Sequence, residues 1–201
     1  DWRDKSGRAV DILVATPPCQ GISVAKHKKN DADHNRNSLV VESIVLTKEI
    51  LPKVFVFENV RGFLNTLCTD RDGVDKTISA AIDQNLSSFY NITSRIVNFK
   101  NYGVPSSRTR TLVIGTLKSE SALYAPFFFP FYESTVSLRE AIGHLSSLKT
   151  MGELCPDDFL HNFKRYDEKM IPWVSELREG ESSFDNVKIE NRPHSLDENG
   201  N

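Results

Sequence analysis

Asp11-Ile-Leu-Val-Ala-Thr-Pro-Pro-Cys-Gln-Gly-Ile-Ser23 is the stretch that decides the fold. Its apolar run, Asp11 to Thr16, is too continuous for a half-exposed strand and reads as a short buried strand of a parallel sheet. Pro17 and Pro18 end it, because neither can continue a ladder. Open α/β sheets take their ligands outside the carboxyl ends of the strands, so Cys19 stands where chemistry is done and is a candidate nucleophile. Taken alone, the same cysteine reads more often as an inert buried thiol, and only its place after Pro17-Pro18 among the other motifs reverses that.

The rest of the composition narrows what kind of protein carries this stretch. With 201 residues, 39% hydrophobic and 26% charged, the chain is ordinary globular protein, long enough for one real core and short for two. No run of about 18 apolar residues is present and the first residues have neither signal-peptide nor transit-peptide character, so a membrane or secreted location is not expected. Three cysteines, Cys19, Cys68 and Cys155, are an odd number without paired spacing, which fits a reducing compartment and argues against a disulfide frame. Neither they nor the five histidines have ligand spacing, so no metal site is expected. A net charge of -2 is not the footprint of a nucleic-acid coat, and any such partner must be met by local basic patches.

Outward from the opening strand, residues 24–36 are rich in Lys, His, Asn and Asp with no apolar period, which reads as a surface loop beside the cysteine, either a lid or a plain connection. Residues 38–51 place apolar side chains on more than one helical face before Pro52, predicting a largely buried helix capped by Asn37 or Ser38. Val54-Phe-Val-Phe-Glu-Asn-Val60 is a second buried strand. If it runs parallel to the first, with the helix as crossover, Glu58 arrives at the same sheet edge as Cys19. In isolation Glu58 serves as well to cap a helix or hold a loop. Val74, Ile78, Ile82 and Leu86 recur at helical spacing and predict an amphipathic helix. Residues 90–99 and 112–115 predict two further strands, separated by a Gly/Pro-punctuated loop, 101–110, that presents Arg108 and Arg110 on one side. Two guanidinium groups so placed make an anion or base-edge clamp, although an arginine pair is by default a solvated one. The aromatic run 125–132 is broken by prolines and reads as packing against the sheet rather than as a ligand site. Ser137-Leu-Arg-Glu140 is a capping box opening a helix to about residue 148, a short helix is expected within 159–173, and 190–201 reads as a poorly ordered tail.

Pro17-Pro-Cys-Gln20, Glu58-Asn-Val60 and Tyr102-Gly-Val-Pro105 leading into Arg108-Thr-Arg110 together resemble, in order and spacing, the catalytic motifs of the cytosine-C5 DNA methyltransferases. Arg36-Asn-Ser-Leu39 and Ser137-Leu-Arg-Glu-Ala-Ile142 add to the resemblance, which covers residues 10–148. It implies an α/β, Rossmann-like S-adenosylmethionine-dependent methyltransferase fold, of which this chain holds the second half of the sheet with helices on both faces. A partial catalytic domain over 1–148 would then be followed by the start of a target-recognition region or linker over 149–201. The resemblance makes Cys19 the thiolate that adds to C6 of a flipped cytosine, Glu58 the carboxyl at N3, Arg110 the guanidinium at O2, and Arg108 a support for the cysteine loop or a phosphate. Gln20, Ser23, Asn59, Arg108 and Arg110 make up the DNA- and base-facing set, with Asn59 acting by positioning the proline-rich loop rather than by touching the base.

Only Pro18 and Leu39 map to positions that touch S-adenosylmethionine, and no Phe-x-Gly-x-Gly stretch is present. The expectation is that a preceding half-domain or a complementary chain carries most of the cofactor pocket, that the isolated chain is inactive, and that its partner is duplex DNA rather than a membrane. The family's usual glutamine before the arginine pair is Ser106 here, which loosens the expected order of the cysteine loop. The same chemistry on tRNA and a non-catalytic assembly piece are the alternatives. A cytoplasmic, nucleoid-associated location would follow for a bacterial protein and a nuclear one for a eukaryotic protein.

Overall fold

The computed structural model of the protein describes residues 9–18 and 38–193. By connectivity the chain divides into two compact units, Asp1–Gly143 and His144–Asn201.

In the first unit the apolar run of the opening stretch forms β1 (Ile12–Ala15), an edge strand and not the buried one expected, because only one neighbour among the described residues pairs with it, and residues 38–51 form α1 (Ser38–Ile50). The helix stops at Leu51, which takes a left-handed φ of 50° ahead of Pro52. β2 (Val54–Val60) follows as predicted and pairs in parallel with β1, Ile12 opposite Val54 and Ala15 opposite Phe57. The chain then makes a small hairpin, β3 (Leu67–Thr69) against β4 (Asp75–Thr77), before α2 (Ile78–Leu86). Val74 therefore sits in the hairpin and not in the first turn of the amphipathic helix, as its spacing had suggested. The Thr77 side chain accepts from the Ala80 amide and caps α2 there, while Gly73, at φ 76°, turns the hairpin. β5 (Tyr90–Asn98) and β6 (Thr109–Leu117) complete a sheet of order β1-β2-β6-β5, with β6 antiparallel to both neighbours. β6 is longer than its apolar core 112–115 implied and takes in Arg110, which the sequence placed in the loop. Register with β2 is the reason: Arg110 pairs with Val60 and Leu112 with Glu58.

The pleat divides the core in two. On one face Phe55 and Phe57 of β2, with Val113, pack under α1 (Val40, Val41, Ile44) and α2 (Ile78, Ala81, Ile82, Leu86). Tyr90 meets Phe55 edge-on at 5.0 Å and donates from its hydroxyl to the Pro52 carbonyl, and burial pushes that phenol up to about 12. On the other face Val54, Val97 and Ile114 are covered by Ala125 of a short 3-10 helix, Ala125–Phe128, and by Phe129 just after it. Thus both described α-helices of the sheet lie on one face, and a 3-10 helical turn from the aromatic run serves the other. Part of that second face is open: Ile12 and Val14 on β1 are more than half exposed. α3 (Leu138–Ile142) opens on the capping box expected of Ser137 and Glu140 but ends at Gly143 after only five residues.

The second unit is mostly irregular. Leu154 bridges Asn162 in an antiparallel pair, and the short helix predicted within 159–173 is the turn Glu168–Met170 running into α4 (Ile171–Val174). Of the expected tail, 190–193 are described and include part of the turn Ile189–Asn191, while the remainder lies outside the described residues.

Candidate active site

Because β1 and β2 are parallel and adjacent, their carboxyl ends coincide. Ala15, the last residue of β1, pairs with Phe57, and Glu58 is the next residue of β2. Alternation along β2 puts Glu58 on the face opposite Phe57, the same face as Arg110 of β6, one step away on the diagonal. The two side chains meet there. Arg110 Nε lies 2.9 Å from Glu58 Oε1, with the arginine side chain 16% and the glutamate 29% exposed. The guanidinium is also tied down by its own strand, Nη1 donating to the Thr109 carbonyl at 2.8 Å. Such a pair is fixed enough to present a carboxyl edge and a guanidinium edge side by side, the arrangement needed to hold a planar heterocycle by two adjacent polar atoms.

Asn59 is buried and works inside the loop. Its amide nitrogen donates to the Pro17 carbonyl at 2.9 Å and its oxygen accepts from the Val60 amide at 2.8 Å. It thereby joins the end of β1 to the end of β2 across 42 residues of chain, and does so by positioning the proline stretch. Thr111, fully buried in β6, donates to the Arg61 carbonyl at 3.2 Å and holds the chain just past β2. Neither the Thr109 carbonyl nor Thr111 was singled out from the sequence, although a threonine alternating with arginine in a buried strand is the available signal.

Arg108 is exposed just ahead of β6, its carbonyl accepting from Phe99. Pro18 and Leu39 are both exposed and offer apolar surface. Cys19, Gln20, Ser23 and the expected lid at 24–36 lie outside the described residues. Of the other cysteines, Cys68 is buried between the hairpin and the helices, and burial, with Asp70 adding to it, pushes its thiol up to about 11. A thiol so protonated is no nucleophile. Among the described residues no group of His, Cys, Asp or Glu is placed to hold a metal, and no helix is long and apolar enough to cross a membrane.

Residues 2–196 match the family model described as C-5 cytosine-specific DNA methylase. A Type II methyltransferase of Avibacterium volantium is 31% identical over 181 residues, 89% of this chain and 48% of that protein. One from Desulfomicrobium norvegicum is 38% identical over 140 residues, 68% of this chain and 32% of that protein. The crystal structure of a prophage-encoded protein from E. coli, described as a DNA modification methyltransferase, superposes with a TM-score of 0.57 at 27% identity, over 74% of this chain and 38% of that one. The chain thus spans half or less of the length of these relatives. A chain matched over nearly its whole length, with the proline stretch, the glutamate and the arginine brought to one end of one sheet, belongs to the C-5 cytosine-specific DNA methylases.

Proposed function

We propose that this chain carries the base-activating half of a methyltransferase that modifies C5 of cytosine in DNA. The observation that carries the reading is the Glu58–Arg110 pair, held at 2.9 Å at the end of the strand beside the one that leads into Pro17-Pro18-Cys19. Cytosine C5 is too weak a nucleophile to take a methyl group unaided. The Cys19 thiolate adds to C6, forming an S–C bond and pushing the ring electrons toward C5. A proton given by Glu58 to N3 accepts that density, and Arg110 holds the base O2 while fixing the glutamate. C5 then takes the methyl group as the donor's bond to that methyl carbon breaks, N3 returns its proton to Glu58, the C5 proton leaves to a base, and the electron pair it leaves behind expels the sulfur as thiolate. C6 is hidden in a stacked duplex, so the cytosine must be flipped out, and Gln20, Ser23 and Arg108 belong to the set that meets the DNA.

S-adenosylmethionine, when bound, supplies the methyl group as a sulfonium. Pro18 and Leu39 fit one wall of its pocket, being apolar and exposed at the right end of the sheet, but neither offers the carboxylate a ribose needs. The remaining donors are therefore expected from the length of the family domain that this chain does not span, or from a complementary chain carrying it. The open surface of Ile12 and Val14 on β1 is apolar, as contact with such a part requires.

The test is covalent capture. With S-adenosylmethionine and the whole family domain present, an oligonucleotide containing 5-fluorocytosine should form a stable protein–DNA adduct, since fluorine cannot leave as the C5 proton does. Cys19→Ser is expected to abolish the adduct and Cys68→Ser to preserve it; equal yields from both variants would remove the assignment.

A further inference from the structure

The aromatic run 125–132, expected only to pack, does two different things. β6 leads away from the Glu58–Arg110 end of the sheet, and residues 123–129 return across the same face, burying Ala125 and Phe129 against Val54, Val97 and Ile114. The chain then reaches the strand end it started from. There the Glu133 amide donates to the Asn101 carbonyl at 2.9 Å, in the turn that precedes Arg108. That turn closes on Gly103 at φ 72°, where any side chain would be strained. The arrangement sets the ring of Tyr132 on the ring of Tyr102, centroids 5.3 Å apart and planes within 19°. Tyr102 is packed into the face below, but Tyr132 is 80% exposed. Burial is not what holds the outer ring there, and the stack leaves most of its surface to solvent.

Charged side chains of both signs lie on the segments that form this ledge, the Glu133 carboxylate beside Gly103 among them. Arg95 lies over the Phe129 ring at 4.4 Å, and Lys100 and Arg108 are exposed on the same connection, with Glu133 the nearby acid. A flat, solvent-facing ring backed by a second ring, on a connection that also carries the exposed cations Lys100 and Arg108, matches the chemistry of an unstacked nucleobase on its phosphate backbone. A purely apolar protein partner would have no use for the arginines.

Building on the proposed DNA activity, we infer that Tyr132, supported by Tyr102, is a stacking platform for an unpaired base of the DNA strand flanking the one held at Glu58. Photo-crosslinking of the full-length protein to DNA substituted with 5-iodouracil tests this, because that base couples to an aromatic ring stacked on it. The adduct is expected on Tyr132, retained in Tyr132→Phe and lost in Tyr132→Leu, with affinity lowered about ten- to a hundredfold in the last. Adducts mapping elsewhere on DNA-bound protein, or Tyr132→Leu binding and coupling like the parent, would overturn the platform and leave the Cys19 chemistry standing. Failure of the parent protein to bind DNA at all would overturn both.

Discussion

Glu58 and Arg110 fix each other, and each has a second anchor in the fold: the glutamate by its place in a paired strand, the arginine by the Thr109 carbonyl. The contact that matters for transfer is the one that strengthens as N3 gains a proton. Glu58→Gln keeps the shape and loses the proton, so methyl transfer should fall about a hundredfold or more while DNA affinity changes less than a few-fold. Single-turnover transfer measured beside equilibrium binding checks the split; comparable losses in both would count against the role given to Glu58. At Gly115, on the buried side of β6, a methyl group would come within 2.0 Å of the Phe55 ring. Phe55 is fully buried between α1, α2 and Tyr90 and has nowhere to go. Gly115→Ala should cost about 3 kcal/mol in a urea unfolding measurement, an overpacking penalty with no effect on the chemistry of the site.

The β3–β4 hairpin shows how an element too short to be stable by itself is held. Its one buried acid, Asp70, accepts from the Arg71 amide, from Lys76 Nζ at 3.1 Å and from Asn85 of α2 at 2.9 Å. Lys76 also reaches Asp72 at 2.6 Å and Gln84 of α2 at 2.8 Å, so one ammonium group stitches hairpin to helix. Burial alone would push the Asp70 carboxyl up, but the Arg71 amide, Lys76 and Asn85 outweigh it and hold it below the ordinary aspartate value. The sign follows: the unfolded chain binds the proton more readily, so this stabilisation is complete above the unfolded value of about 4 and is lost as pH falls through the folded one. Melting temperature should therefore drop more steeply below about pH 4 in the parent protein than in Asp70→Asn. Lys76→Met leaves the carboxylate buried with one fewer partner and should destabilise the first unit by about 3 kcal/mol, read by thermal or urea unfolding at neutral pH.

At the scale of the molecule, the two compact units meet in sequence at Gly143 and His144, and residues 143–147 are all exposed. Limited proteolysis should cut between 143 and 149 before β2, β5 and β6 open, which mass spectrometry of the fragment ends would show. Since the chain covers 48% and 32% of two methyltransferases it matches, these 201 residues alone are expected to transfer no methyl group. Transfer of a radiolabelled methyl group should appear once the remaining family domain is supplied, attached or as a separate chain.

By itself the sequence determined the elements whose residues have one outcome: the strands β1 and β2, of which only β2 is buried, the helix α1 stopped by Pro52, and the capping box at Ser137. It also named Glu58 and Arg110, because motif spacing survives without coordinates. Tertiary structure alone decided the rest. Val74 matched a helical period yet went to a hairpin, since Thr77 and Gly73 set the boundary locally and Asp70 and Lys76 hold it at a distance. Arg110 became a strand residue because β2 offered it a partner, and the face it shares with Glu58 follows from a register no local pattern encodes. Likewise the run 125–132 gave no sign of which rings it would bury: Phe129 goes under the sheet face and Tyr132 stays in solvent, because the returning chain has only one side in contact with strands.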